Sequence, residues 1–273
     1  MTANTSSGDA SRLEPADVKQ CCARLYESDI VSLLLGESYH PGGVALTERL
    51  GVLLNLTPES HVLDAASGRG TSALYLAQRF GCRATGFDLS QHNVDLAEAE
   101  AVRLGLSDRV RFQQADAERL PLAAESVDAV ICECAYCTFP DKAQAAREFA
   151  RVLRPGGRVG LSDITRVPDT SSALTDLMAW IACLADARSS EAYAALLAEA
   201  GFTITAIEQR DDALLELIRS IGTRLFATEV LAALNKIDRH GIDLEAAKRM
   251  ARQARVAVDN GQIGYAIVCA IRE

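Results

Sequence analysis

Short apolar runs bounded by small or polar residues alternate along this chain with longer stretches whose apolar positions recur every three to four residues. "HVLDAAS" (His61–Ser67) is of the first kind, and "TSALYLAQRF" just behind it is of the second. The alternation continues through "RATGFDLS" (Arg83–Ser90), "QHNVDLAEAEAVRLG", "RVRFQQAD" (Arg109–Asp116), "VDAVICEC" (Val127–Cys134), "KAQAAREFARVL" and "RVGLSDIT". "FTITAIEQR" and the closing "GYAIVCAIRE" supply a sixth and a seventh strand. Strands alternating with amphipathic helices predict an α/β fold, a seven-stranded doubly wound sheet covered by helices. The Pro and glycines of "RPGG" are expected to break the helix ahead of the fifth strand.

Two segments stand outside this alternation. Residues 18–55 predict a helical N-terminal cap that includes "SYHPGG", and residues 211–260 a helical insertion before the last strand, 261–273. With residues 56–210 as the core they make one domain, preceded by a tail, 1–17, expected to be disordered. That tail has neither a basic start nor an apolar stretch, so it does not read as a secretory signal. A cytoplasmic location is therefore expected, with the eight cysteines as thiols or metalloid ligands rather than disulfides. The net charge of −9 argues against nucleic acid as a partner, because phosphate binding needs a surplus of Lys and Arg. No apolar run approaches the roughly 20 residues needed to cross a bilayer, so no membrane partner is expected.

"VLDAASGRGTSALYLA" reads as strand, glycine-containing turn and helix, with Asp64, Gly68 and Gly70 at the turn. Glycines let backbone approach a ligand closely, and a helix N-terminus offers free N–H groups. Asp88 ends the next strand, where a carboxylate accepts both hydroxyls of a ribose. Asp116 ends the third, placed to accept from an adenine amino group. The spacing G-x-G-x-x-G of nicotinamide-binding domains is absent, since Ala73 follows Gly68 and Gly70. In "VLDAASGRG", "TGFDLS", "QQADAERLPLAAESVDAVIC" and "ARVLRPGGRVGLSD" the sequence resembles the class I S-adenosylmethionine-dependent methyltransferases, over roughly Leu56–Asp163. The resemblance implies a Rossmann-like fold and S-adenosyl-L-methionine as cofactor. It implies Asp64, Ala66, Ser67, Gly68, Gly70 and Thr71 around the methionine part, Asp88 and Leu89 at the ribose and Asp116–Ala117 at the adenine. Glu133, at the end of the fourth strand, completes the set. One departure is visible: Ala66 stands where the family has its first glycine.

The methyl acceptor should lie beyond the strand ends. There "VICECAYCTFP" (Val130–Pro140) places Cys132, Cys134 and Cys137 within six residues. Period-two alternation puts Cys132 and Cys134 on one face, with Cys134 nearer the site. Cys132 and Cys82 read as small buried hydrophobes. A structural zinc site wants two paired clusters, and only one is present. Cys134 before "PDK", and Cys183 in "WIACL" before "GF", resemble the two cysteines of the arsenite methyltransferases. The resemblance implies trivalent arsenic, as arsenite or an organoarsenical, held by Cys134 and Cys183, with a thiol reductant as co-substrate. Thiolates suit this soft centre, and its lone pair removes the need for a general base. The family's further cysteine before the nucleotide-binding turn is missing, which leaves Cys21, Cys22 or Cys137 as a third thiol. His40 in "SYHPGG" is the other candidate, as an acceptor contact or general base. With His40 as base the acceptor would be a small metabolite methylated on oxygen, nitrogen, carbon or sulfur. A non-catalytic metalloid-binding protein is the reading from another class.

Overall fold

The computed structural model describes residues 40–167, 186–233 and 243–273. Seven strands form one sheet in the order β3-β2-β1-β4-β5-β7-β6. In chain order the elements are α1 (Gly43–Leu53), β1 (His61–Ala65), α2 (Thr71–Phe80), β2 (Arg83–Asp88), α3 (Gln91–Arg103) and β3 (Val110–Gln114). Then come β4 (Val127–Glu133), α4 (Lys142–Val152), β5 (Leu153–Arg166), α5 (Ser190–Glu199) and β6 (Phe202–Gln209). α6 (Asp211–Ala233), α7 (Leu244–Asp259) and β7 (Ile263–Arg272) complete the described chain. β1 pairs in parallel with both β2 and β4, and β7 lies antiparallel between β5 and β6. The topology reverses at β1, so the crevice for a ligand opens beyond the carboxyl ends of β1, β2 and β4.

Covering both faces explains why the central strands read as continuous apolar runs. Val62, Leu63, Val130, Ile131 and Cys132 are all fully buried. Ser90 caps α3 by accepting from the Asn93 N–H at 3.0 Å, and Asp141 caps α4 by accepting from the Gln144 N–H at 2.8 Å. Cys82, Cys132 and Cys269 are buried thiols. Burial raises Cys82 to about 11 and Cys269 to about 12, so these serve packing rather than chemistry.

Two local expectations are corrected. The helix stops before "RPGG" as expected, α4 ending at Val152, but β5 begins at once, at Leu153 rather than at Arg158, and runs 14 residues. Its pairing with β4 shifts register between Val127 and Ala129, and Gly156 sits in that irregularity at φ +76°. The Pro and glycines therefore make a bulge within the strand. β4 ends at Glu133, one residue early, because Cys134 turns into the left-handed region at φ +53°. The calls on residues 1–39, with Cys21 and Cys22, and on Cys183 lie outside the described residues.

Gly70 begins α2 at φ +80°, and a β-carbon there would sit 2.4 Å from the Phe112 ring and 2.9 Å from Ala97 Cβ. Overpacking and left-handed strain together set the cost of replacing it. Gly70→Ala is expected to destabilise the protein by about 2–4 kcal/mol in denaturant unfolding.

Candidate active site

The turn after β1 is a run of left-handed backbone: Ala66 at φ +60°, Gly68 at +52° and Gly70 at +80°. Ala66 thus adopts the conformation in which glycine is at ease, at a cost of about 1–2 kcal/mol for an L-residue. The turn is pinned to β2 by the Ser67 N–H donating to Phe87 O at 2.9 Å and the Gly68 N–H donating to the Asp88 carboxylate at 2.8 Å. Asp88 also accepts from the Ser90 N–H at 2.9 Å, and Asp116, two residues beyond β3, accepts from the Glu118 N–H at 2.9 Å.

These elements enclose a cavity of about 1080 Å³, its open mouth included. Of the residues expected to hold the cofactor, Asp64, Ala66, Ser67, Gly68, Thr71, Asp88, Leu89, Asp116, Ala117 and Glu133 line it. Gly70 does not; its place is the close approach of α2 to Phe112. From the acceptor candidates, His40 and Cys134 line the cavity. Cys137 does not: it is fully buried, its N–H donating to Asp163 Oδ2 at 2.9 Å. The left-handed turn at Cys134 breaks the strand alternation, so Glu133 and Cys134, neighbours in sequence, both face the cavity.

Asp64 is 2% exposed, and its Oδ2 has no hydrogen-bond partner. Burial above all, then the charge of nearby Glu133, pushes this carboxyl well above the usual range. Ser67 Oγ and Asn93 Oδ1, also on the cavity wall, are likewise buried without partners. Glu133 is tied down instead: Thr47 Oγ donates to Oε2 at 3.0 Å and Ser162 Oγ to Oε1 at 3.2 Å. His40 is 7% exposed, and both of its ring nitrogens lie near protein partners. Nδ1 lies 3.2 Å from Pro41 O, and Nε2 is 3.4 Å from Thr47 Oγ, 3.4 Å from Ser72 Oγ and 3.6 Å from Glu133 Oε2. Lys142 of the "PDK" element is buried, its ammonium donating to Phe139 O at 2.9 Å and Asp186 at 2.5 Å, which fixes the cavity wall at Thr138 and Phe139. Sequence reasoning missed Arg69, Ser72, Asn93, Ala115, Ala135, Thr138 and Phe139. Asn93 was open to detection, since a residue three beyond the N-cap Ser90 faces back toward the strand end.

The donor set suits S-adenosylmethionine. An ammonium group supplies what the unpartnered Asp64 Oδ2 lacks, hydroxyls and amino groups suit Asp88 and Asp116, and the narrow left-handed turn admits backbone contact. No group of three or more His, Cys, Asp or Glu among the described residues is arranged to hold a metal ion. No helix among them is long and apolar enough to cross a membrane.

Removing the Asp64 charge relieves an unfavourable burial. A carboxyl raised in the folded state contributes stability at low pH that is lost as pH rises through its folded value. Asp64→Asn is therefore expected to raise the melting temperature of the ligand-free protein at neutral pH by roughly 2–4 °C, about 1 kcal/mol in a domain of this size. The gain should shrink toward pH 4, and calorimetry across that range checks both.

Residues 63–161 match the family described as "Methyltransferase domain". Methyltransferase GfsG of Streptomyces halstedii is 35% identical over 165 residues, 59% of this chain and 59% of that protein. The chain thus spans about three fifths of the length of that relative. An arsenite methyltransferase of Halobacterium salinarum is 32% identical over 160 residues, covering 58% of this chain and 41% of that one. O-methyltransferase cnsE of Penicillium expansum is 28% identical over 282 residues, 97% of this chain and 95% of that protein. Among solved structures, the [4+2]-cyclase SpnF superposes with a TM-score of 0.76 at 24% identity, covering 93% of this chain and 96% of that one. Residues 63–161 are thus similar to a methyltransferase domain, and the strand order around them agrees with the fold shared with that solved structure.

Proposed function

We propose that the protein transfers a methyl group from S-adenosylmethionine to a small molecule that enters the cavity beside Cys134. The observation that carries the reading is the single cavity that brings the unpartnered Asp64 Oδ2 together with Asp88 and Asp116 from successive strand ends. Bound there, the cofactor supplies an electrophilic methyl group on a sulfonium centre. Asp64 holds the ammonium, Asp88 the ribose hydroxyls and Asp116 with Ala117 the adenine. Phe139 and Ala117 add buried apolar surface to the wall that would receive the cofactor.

For the acceptor we propose a soft centre that brings its own lone pair, with thiolate-bound trivalent arsenic as the best fit. Cys134 presents a thiol on the cavity wall, while the His40 nitrogens are engaged by Pro41 O, Thr47 Oγ and Ser72 Oγ. A nucleophile with a free lone pair needs orientation rather than proton removal. Cys183 would be the second thiolate. The Halobacterium relative supports this acceptor over the matched stretch. A second reading, an oxygen acceptor, is favoured by the match with cnsE along nearly the whole chain. Under it one His40 nitrogen must exchange a protein partner for the acceptor.

Labelled cofactor, a thiol reductant and either arsenite or a phenol separate the two. Arsenite is expected to be methylated by the wild type, and Cys134→Ser to lower the rate at least 100-fold while cofactor affinity stays within about threefold. Arsenite turnover that survives both Cys134→Ser and Cys183→Ser sinks the arsenic reading. Phenol turnover abolished by His40→Ala establishes the other.

A further inference from the structure

Glu133 and Asp64 face one cavity, yet their surroundings differ. Asp64 Oδ2 has no partner, whereas both Glu133 oxygens accept hydroxyl hydrogen bonds in a side chain only 3% exposed. One donor, Thr47, comes from α1 and is fully buried. The other, Ser162 of β5, is itself steadied by Tyr265 of β7, whose buried hydroxyl donates to Ser162 O and Oγ at 3.1 Å each. Thr47 Oγ also lies 3.4 Å from His40 Nε2, so one hydroxyl stands between the carboxylate and a second lining residue. None of Thr47, Ser162 and Tyr265 lines the cavity.

We propose that Thr47 is a positioning residue for the cofactor: through its hydroxyl it fixes Glu133 as a second carboxylate facing the cofactor's positive charge. The inference rests on the reading that S-adenosylmethionine occupies this cavity. Asp64 offers one unpartnered oxygen, while the cofactor carries two cationic centres, ammonium and sulfonium. Glu133, beside Cys134 at the end of β4, supplies the second negative group on the side where the acceptor is proposed to bind. A carboxylate left to swing would lose this alignment and would spend its charge on water. Donors preset from α1 and β5 hold it before the ligand arrives.

Titration calorimetry of S-adenosylmethionine binding to the full chain tests this. Thr47→Val keeps the shape and removes the hydroxyl, and is expected to raise Kd about tenfold, the scale of one hydrogen bond to a charged group. Thr47→Ser restores the hydroxyl and is expected to bind within about twofold of wild type. If Thr47 acts through Glu133, the double variant Thr47→Val/Glu133→Gln binds no more weakly than Glu133→Gln alone. Should Thr47→Val fail to fold, Ser162→Ala removes the other donor and is expected to show the same coupling. The inference is overturned if Thr47→Val binds like wild type, if Thr47→Ser is as weak as Thr47→Val, or if the Thr47 and Glu133 effects simply multiply. A wild-type protein that binds no S-adenosylmethionine overturns the cofactor reading itself, a result distinguishable from each of these.

Discussion

A carboxylate sits at the carboxyl end of β1 with almost no water and one unpartnered oxygen, and the surrounding site is arranged about that cost. Burying a charge without a partner is unfavourable, and the nearness of Glu133 makes it more so. A fold keeps such a group where a ligand completes it. The strand order brings Asp64, Asp88 and Glu133 to one edge of the sheet, with Asp116 just beyond β3. These carboxyl groups outnumber the cation on the same cavity wall, Arg69, in a chain whose net charge is already −9. Such a pocket favours a cationic ligand over an anionic one before any single contact is considered. The sulfonium and ammonium of S-adenosylmethionine meet that electrostatic demand.

Backbone conformation is the second constraint. Both central strands, β1 and β4, stop at a non-glycine residue in the left-handed region, Ala66 and Cys134. Each bend costs about 1–2 kcal/mol, and residues held this way gather at functional sites. At Ala66 the bend begins the turn that returns Ser67 and Gly68 to β2. At Cys134 it cancels the period-two rule, so two consecutive residues look into the same cavity. Their roles divide accordingly, with a carboxylate assigned to the cofactor and a thiol to the acceptor.

Much of this was legible in the sequence because it follows from periodicity. Seven strands, their helices and the acidic residues at the ends of β1 and β2 could be read from runs and turns alone. What could not be read depended on register or on distant partners. The bulge in "RPGG" follows from β5 pairing early with β4, a long-range event with no local signature. Alternation would have buried Glu133 opposite Cys134, and only the left-handed turn puts them side by side. Cys137 stood as a candidate third thiol within "VICECAYCTFP", but its backbone is tied to Asp163 and its side chain lies in the core. His40 was recognisable as a site residue, while the direction of its nitrogens depends on Thr47 and Ser72, 7 and 32 residues away. Thr47 and Tyr265 lie in no motif, and Ser162 stands near the end of "ARVLRPGGRVGLSD" without having been singled out. They act by touching residues that were.

Ser162 shows how the donor and acceptor halves of the site are coupled. Its carbonyl accepts from the Cys134 N–H at 2.7 Å and its hydroxyl donates to Glu133. The same carbonyl also accepts from Tyr265, whose strand lies against β5 from the other side. The strained turn that aims the thiol and the bond that steadies the carboxylate therefore hang from one residue of β5. Methyl transfer needs the acceptor and the methyl-bearing centre aligned to a fraction of an ångström, and a shared anchor fixes one relative to the other. Any shift of β5 against β4 would move both together. The relative placement of Glu133 and Cys134 is thus set by the register of β4 against β5, and the proposed chemistry lies on the turn beyond it.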